Sequence, residues 1–489
     1  MKKFKKVIAL SLALAMGLSL AACTSGSGDT TAPQPTGGDD DTTAAPAPGG
    51  DEDTTEAPNA ELDFGEQGDV LNIYVWNTEF AERMRDFMPG FEVDDKDNPT
   101  NGGTLNGTRV NFVVTPTNDN AYQDKLDATL PGNADLSADD KVDIFLIEAD
   151  YALKYVNSGV TLPVSEVGIT DADTADMYQY TKDIATADDG SLKAVSWQAT
   201  PGLFAYRRDI ATEVLGTDDP DEVQGYVKDW ATFKDTAAKM KDKGYTMVAG
   251  YDDTYRTYSN NMSKPWVTDG VLNIDQKIID WVNDTKEFTD NGYLNTGTGL
   301  WSDAWAKEQG PDGHTFGFFY STWGINFTLA GNSKADAEGP DEVGNGIWGQ
   351  YAVCPGPEAY YWGGTWICAA AGTDNQQLVH DIMYSMTCDP DVAIAITKET
   401  LDYTNNQPAM EELAKDFSSA FLGGQNHIAL FVDAAKQIDM SNTCPYDQGC
   451  NEGIQTAMRD YFDGTVDYDT ALANFKSALQ TKYPELTIE

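Results

Sequence analysis

Three groups of residues have the types and spacing to do chemistry on a solute. Trp76, Asn77 and Glu79 put an indole, an amide and a carboxylate within four positions. Glu148 and Asp150 form an acidic pair two residues apart, and Tyr255, Arg256, Tyr258, Asn260, Asn261 and Trp266 a polar-aromatic set. Carboxylates and amides make paired planar hydrogen bonds, and indole faces pack on flat C–H surfaces. That mixture suits recognition of a polyhydroxylated small molecule. Nothing in it suits nucleophilic or metal chemistry. There is no GxSxG, phosphate-binding loop or HExxH run. The three histidines, His314, His380 and His427, are scattered, so no cofactor, metal or catalytic residue is expected. A carboxylate pair for glycoside hydrolysis can be drawn anywhere among 79 acidic residues, so it carries no weight. Cys444 and Cys450 are spaced to close a short loop, but with Cys354, Cys368 and Cys388 the count is odd and no pairing follows.

The elements that must position these groups come next. Leu71, Ile73 and Val75 alternate with Asn72 and Tyr74, which predicts a strand, and Ala81 to Met88 predicts a helix behind it. Trp76, Asn77 and Glu79 thus sit where a strand runs into a helix, the edge at which open α/β sheets bind ligands. The same arrangement recurs at Val142 to Ile147, a buried strand ending at Glu148 and Asp150. Strands are expected also at 108–114, 192–197, 203–206, 245–250 and 315–320, and an Ala-rich strand after Trp366. Helices are expected at 122–130, 230–243, 274–289, 376–386, 392–400, 410–417, 452–462 and 468–482, and a polar-aromatic loop at 251–266. Alternating strands and helices predict an α/β fold with a parallel sheet.

The net charge of −47 argues against nucleic acid and anionic membrane surfaces as partners. Residues 1–22 read as a signal segment: a basic start, an apolar Val7–Leu20 too short to span ordinarily, and Leu20-Ala21-Ala22-Cys23. Those last four residues resemble a bacterial lipobox, which implies a lipid anchor on Cys23. Residues 23–68 are rich in Asp, Thr, Ala, Pro and Gly, the composition of an extended acidic linker.

Taken in order, several segments fit one pattern. They are the lipobox, Trp76-Asn77-Thr78-Glu79-Phe80, Asp143-Ile-Phe-Leu-Ile-Glu-Ala-Asp150, Ala205-Tyr206-Arg207-Arg208-Asp209, Lys264-Pro265-Trp266, Tyr320-Ser-Thr-Trp323-Gly324, Gly363-Gly364-Thr365-Trp366 and Asp463-Gly464-Thr465. The chain resembles a family 1 extracellular solute-binding protein, the carbohydrate class of ABC-transporter receptors related to maltose-binding protein. The resemblance implies a two-lobed, periplasmic-binding-protein-like α/β fold with discontinuous lobes joined by a hinge. It places lobe 1 at 69–198 and 316–371 and lobe 2 at 199–315 and 372–489, with crossings near 198–203, 309–316 and 370–374. It also implies a monomer that delivers a carbohydrate to an ABC permease. Position by position, it implies ligand contacts from Trp76, Asn77, Glu79, Glu148, Asp150, Tyr255, Arg256, Trp266, Trp323, Gly364, Thr365, Trp366, Asp447 and Asn451, with Trp266 as a stacking platform. Glu79 departs from the pattern, where maltose-binding protein has a basic residue, which puts maltose itself in doubt. Two other readings remain open: a same-fold receptor for a polyamine or peptide, and a surface glycoside hydrolase.

Overall fold

The computed structural model describes residues 64–65 and 67–489. The signal segment, Cys23 and nearly all of the acidic linker lie outside the described residues. Among the described residues no helix is long and apolar enough to cross a membrane.

Among the described residues twelve strands occur in chain order. They are β1 (Val70–Val75), β2 (Phe91–Val93), β3 (Gly103–Leu105), β4 (Thr108–Val114), β5 (Ile144–Glu148) and β6 (Ala194–Ser196). After these come β7 (Gly202–Arg207), β8 (Val267–Thr268), β9 (Val271–Leu272), β10 (Gly317–Ser321), β11 (Tyr351–Cys354) and β12 (Thr365–Ala369). One sheet of seven strands has the order β2-β3-β4-β1-β5-β12-β6, and a second of three has β10-β7-β11. In the first, β1 runs parallel to β4 and β5, so their carboxyl ends share one edge. Helix Glu79–Phe87 starts at that edge, two residues earlier than its apolar face suggests.

Side-chain alternation divides the large sheet's faces. Leu71, Ile73, Ile144, Leu146 and Ile367 point to a core shared with Met84, Leu378, Ile382, Met383 and Ile396, while Tyr74, Phe145, Ile147 and Trp366 face the opposite way. Helices Gln376–Thr387 and Pro390–Thr400 therefore pack on the first sheet. In the second sheet β7 is central and wholly buried. A Cβ on Gly202 would enter the Tyr360 ring, so only glycine fits there.

These pairings redraw the expected division of the chain. Of 316–371, only β12 joins the large sheet, whereas β10 and β11 hydrogen-bond to β7. The helices at 376–400, expected in lobe 2, cover lobe 1. The chain passes between the two sheets near 197–202, 361–364 and 401–405. Periodicity identifies a strand without saying which sheet it joins. The crossings bond side by side: Asn405 N donates to Trp197 O at 2.9 Å, Ala199 N to Tyr403 O at 3.1 Å, and Gly202 N to Tyr360 O at 2.7 Å. We infer that these side-by-side segments act as the hinge.

Two local expectations change. Tyr255–Ser259 is a short helix inside the segment read as a loop, because Tyr255 packs edge-on against Trp281 and Tyr258 stacks on Trp230. Tyr245 to Gly250, read as a strand, is irregular, with a lone bridge from Thr246 to Thr315.

Candidate functional site

At the carboxyl end of β5 the chain turns through Ala149–Tyr151, and Glu148 caps the turn by accepting from Asp150 N at 3.1 Å. That turn aims Asp150 out of the first lobe. From the second lobe, helix Tyr255–Ser259 presents Arg256, whose two terminal nitrogens donate to Asp150 Oδ1 and Oδ2 at 2.5 and 2.6 Å. The two side chains are 21% and 26% exposed, so this bidentate pair is partly shielded from water and ties one lobe to the other. Nearby, Gln123 Nε2 reaches Gln448 Oε1 at 3.5 Å, a second inter-lobe contact.

Asp447 opens helix Asp447–Phe462, where the helix dipole favours a carboxylate. Burial nonetheless pushes its carboxyl up to about 7, with the Cys444 thiol donating to it at 3.1 Å and Asp150 adding repulsion. Burial, then the adjacent Asp150, pushes Glu148 up to about 8 against the pull of Arg256. One turn along the helix, Asn451 Oδ1 accepts from Tyr255 Oη at 2.5 Å and Trp266 Nε1 at 2.9 Å. Asp150, Arg256, Asp447 and Asn451 share a cavity of about 30 Å³ between the lobes.

Other expected contacts go elsewhere. Trp266 is fully buried beside Phe475, so it braces Asn451 and offers no platform. Trp366 is buried with Nε1 on Thr181 O at 2.9 Å, and Thr365 is buried opposite Glu148 in the sheet. Gly364, at φ +109°, belongs to the hinge turn, where a Cβ would press on the Trp366 ring and Thr200 Oγ1. Tyr255 is buried and acts through Asn451. Asn77 accepts from Glu79 N at 3.0 Å, a cap-like local role. Glu79 faces the hinge, taking hydrogen bonds from Gln198 Nε2 at 3.2 Å and Arg83 at 3.4 Å. Trp76 is half-buried at the β1 tip, edge-on to Tyr122. Trp323 is half-buried and stacks on Trp301 with centroids 5.8 Å apart, its Nε1 on Trp362 O at 2.9 Å.

Sequence reasoning missed Tyr151, Ser259 and Tyr361, which line the cavity, and the hinge pair Gln198 and Asp402. Tyr151 directly follows Asp150 and was within reach of the strand-end argument. Among the described residues the five cysteines are buried and free, so the 444–450 loop is not closed by a disulfide here.

Residues 101–420 match the profile described as bacterial extracellular solute-binding protein. Among curated protein sequences none matches. A solved family 1 extracellular solute-binding protein is similar over 84% of this chain and 99% of its own, at TM-score 0.67 and 16% identity. The ABC transporter associated binding protein from B. animalis subsp. lactis Bl-04, solved with β-1,6-galactobiose, is similar over 86% and 100%, at 0.60 and 17%. The GacH receptor of Streptomyces glaucescens GLA.O, solved unliganded and with acarbose, covers the same shares at 0.60 and 16%. At these identities the likeness is one of fold, the two-lobed α/β architecture.

Proposed function

Because the chain belongs to the bacterial extracellular solute-binding protein family, we propose that it captures a carbohydrate between its lobes and passes it unchanged to an ABC importer. It does so as a monomer held at the outer face of the cell membrane through lipid on Cys23. The observation that carries this reading is the convergence of Asp150 from one lobe with Arg256, Asp447 and Asn451 from the other. A solute that bonds to both sides favours the closed arrangement over the open one. Saccharides in the similarly folded B. animalis and S. glaucescens proteins support the carbohydrate class.

The test is incubation of the purified protein with labelled malto-, xylo- and manno-oligosaccharides. A rise in unfolding temperature without cleavage is expected. Cleavage products would move the protein to the glycoside hydrolases. Replacing Cys23→Ala should release the protein from the membrane fraction.

A further inference from the structure

The cavity between the lobes has more hydrogen-bond acceptors than donors. Its strongest donor, Arg256, is committed to both oxygens of Asp150. The other nearby cation, Lys154, turns away to Asp127 at 2.6 Å and lies over the Tyr155 ring. Asp447, which lines the space, is left without a cation of its own. Two further observations are independent of this charge. Tyr151 and Ser259 line the cavity, are only 8% and 6% exposed, and have hydroxyls with no hydrogen-bond partner. A buried hydroxyl without a partner is costly. The space itself, about 30 Å³, is enough for a group the size of one water.

We propose that this cavity is an ammonium subsite, in which the captured solute places a primary amine among Asp447 and the hydroxyls of Tyr151 and Ser259. An ammonium has three donors and no acceptor, the complement of such a lining. Its hydrogen bonds to carboxylates are charge-assisted, and its charge lets a buried carboxyl ionise where a neutral hydroxyl would not. The inference rests on the solute-receptor reading above and narrows the solute to one bearing an amine, on an amino sugar or an alkyl polyamine. Entry of a cation would also displace protons that burial holds on Glu148 and Asp447 near neutral pH. The charged groups around them are Asp150, Arg256 and Glu452, the last with Lys482 at 3.9 Å, and Asp439 at the cavity rim.

Isothermal titration of the full chain with glucosamine trimer, its N-acetylated counterpart, maltotriose and spermidine tests this. At least one amine is expected to bind about tenfold or more tighter than its neutral counterpart, a difference of about 1.4 kcal/mol. Paired buffers at pH 7.5 should show protons released on binding. Asp447→Asn and the milder Tyr151→Phe should each weaken amine binding by a larger factor than neutral-sugar binding. Preference for the glucosamine trimer identifies an amino sugar. Preference for spermidine alone keeps the subsite and removes the carbohydrate reading. If neutral saccharides bind as tightly as amines, or a liganded crystal shows only an ordered water in the cavity, the subsite is wrong while the receptor stands. If nothing in the panel binds, both fail.

Discussion

At the inter-lobe cavity Asp150 meets a guanidinium on both oxygens, whereas at the hinge Glu79 and Asp402 share the single side-chain amide of Gln198. Both clusters contain carboxylates at strand-end or crossing positions, and both are desolvated. They differ in what is left over. At the hinge Asp402 also accepts from Tyr403 N at 3.0 Å and Thr322 Oγ1 at 3.4 Å, and Glu79 takes Arg83. That network supplies each carboxylate with donors and leaves over a donor, the buried Arg83 Nε, where the cavity leaves over hydroxyls. At the cavity Tyr151 and Ser259 keep unmet hydroxyls beside Asp447. A carboxylate on its own does not mark a binding site, but unmet hydroxyls beside it do.

The strongest way to break the comparison is Arg256→Met. It removes two bonds and leaves Asp150 and Glu148 repelling each other. Breaking a buried pair costs about 3–5 kcal/mol, and the partial exposure of these two lowers that to about 2–3. Urea unfolding should show that drop, where the same change at Arg109, in a more exposed pair with Asp94, should show less than about 1 kcal/mol. Equal losses at the two sites would place the inter-lobe pair among ordinary surface contacts.

Gln198→Leu attacks the other cluster. Both carboxylates lose a donor, which should lower stability by about 2 kcal/mol by urea unfolding. Solute affinity should change less than in Arg256→Met, since Gln198 does not line the cavity. A larger affinity loss from Gln198→Leu would mean that hinge geometry, more than cavity contacts, governs capture.

A third comparison uses pH. Burial pushes Glu79 up to about 7 and Glu148 up to about 8. A carboxyl raised in the folded state contributes stability that is fully present below its unfolded value and is lost as pH rises through the folded one. The protein without solute should therefore lose stability between about pH 5 and 8, by about 1–2 kcal/mol for each group after solvent screening. Glu79→Gln and Glu148→Gln should each flatten part of that decline. Saturating solute should flatten it only where Glu148 is intact, because Glu79 is turned to the hinge. Equal flattening by solute in both variants would join the two clusters into one site.

Much of this was legible in the sequence, for physical reasons. Strand Thr108–Val114 alternates cleanly and lies at its expected bounds, as does the helix at 468–482. Tyr351–Cys354 was missed because four buried residues carry no period, and helix His427–Ala435 because it is apolar nearly all round. Lobe membership was illegible, since the sheet that 317–321 joins, and the sheet on which the helices at 376–400 pack, are decided by distant partners. The Asp150–Arg256 pair joins two groups that the sequence singles out separately as ligand contacts. The orphan hydroxyls of Tyr151 and Ser259 were not legible, because a missing partner is a property of packing that no local pattern records.

The smallest expected effect separates a strut from a platform. Trp266 touches the site only through Asn451 Oδ1, which it shares with Tyr255. Trp266→Phe keeps an aromatic ring beside Phe475 and removes one donor, so stability should fall by about 1 kcal/mol and affinity by less than about threefold. Tyr255→Phe should do about the same, and the double variant should cost more than the two added, because Asn451 then has no donor to fix its orientation. Were Trp266→Phe alone to abolish binding, the buried indole would have to turn into the cavity during capture. The contrast between a ligand-facing cavity and a self-satisfied support would then shift by one residue toward the core.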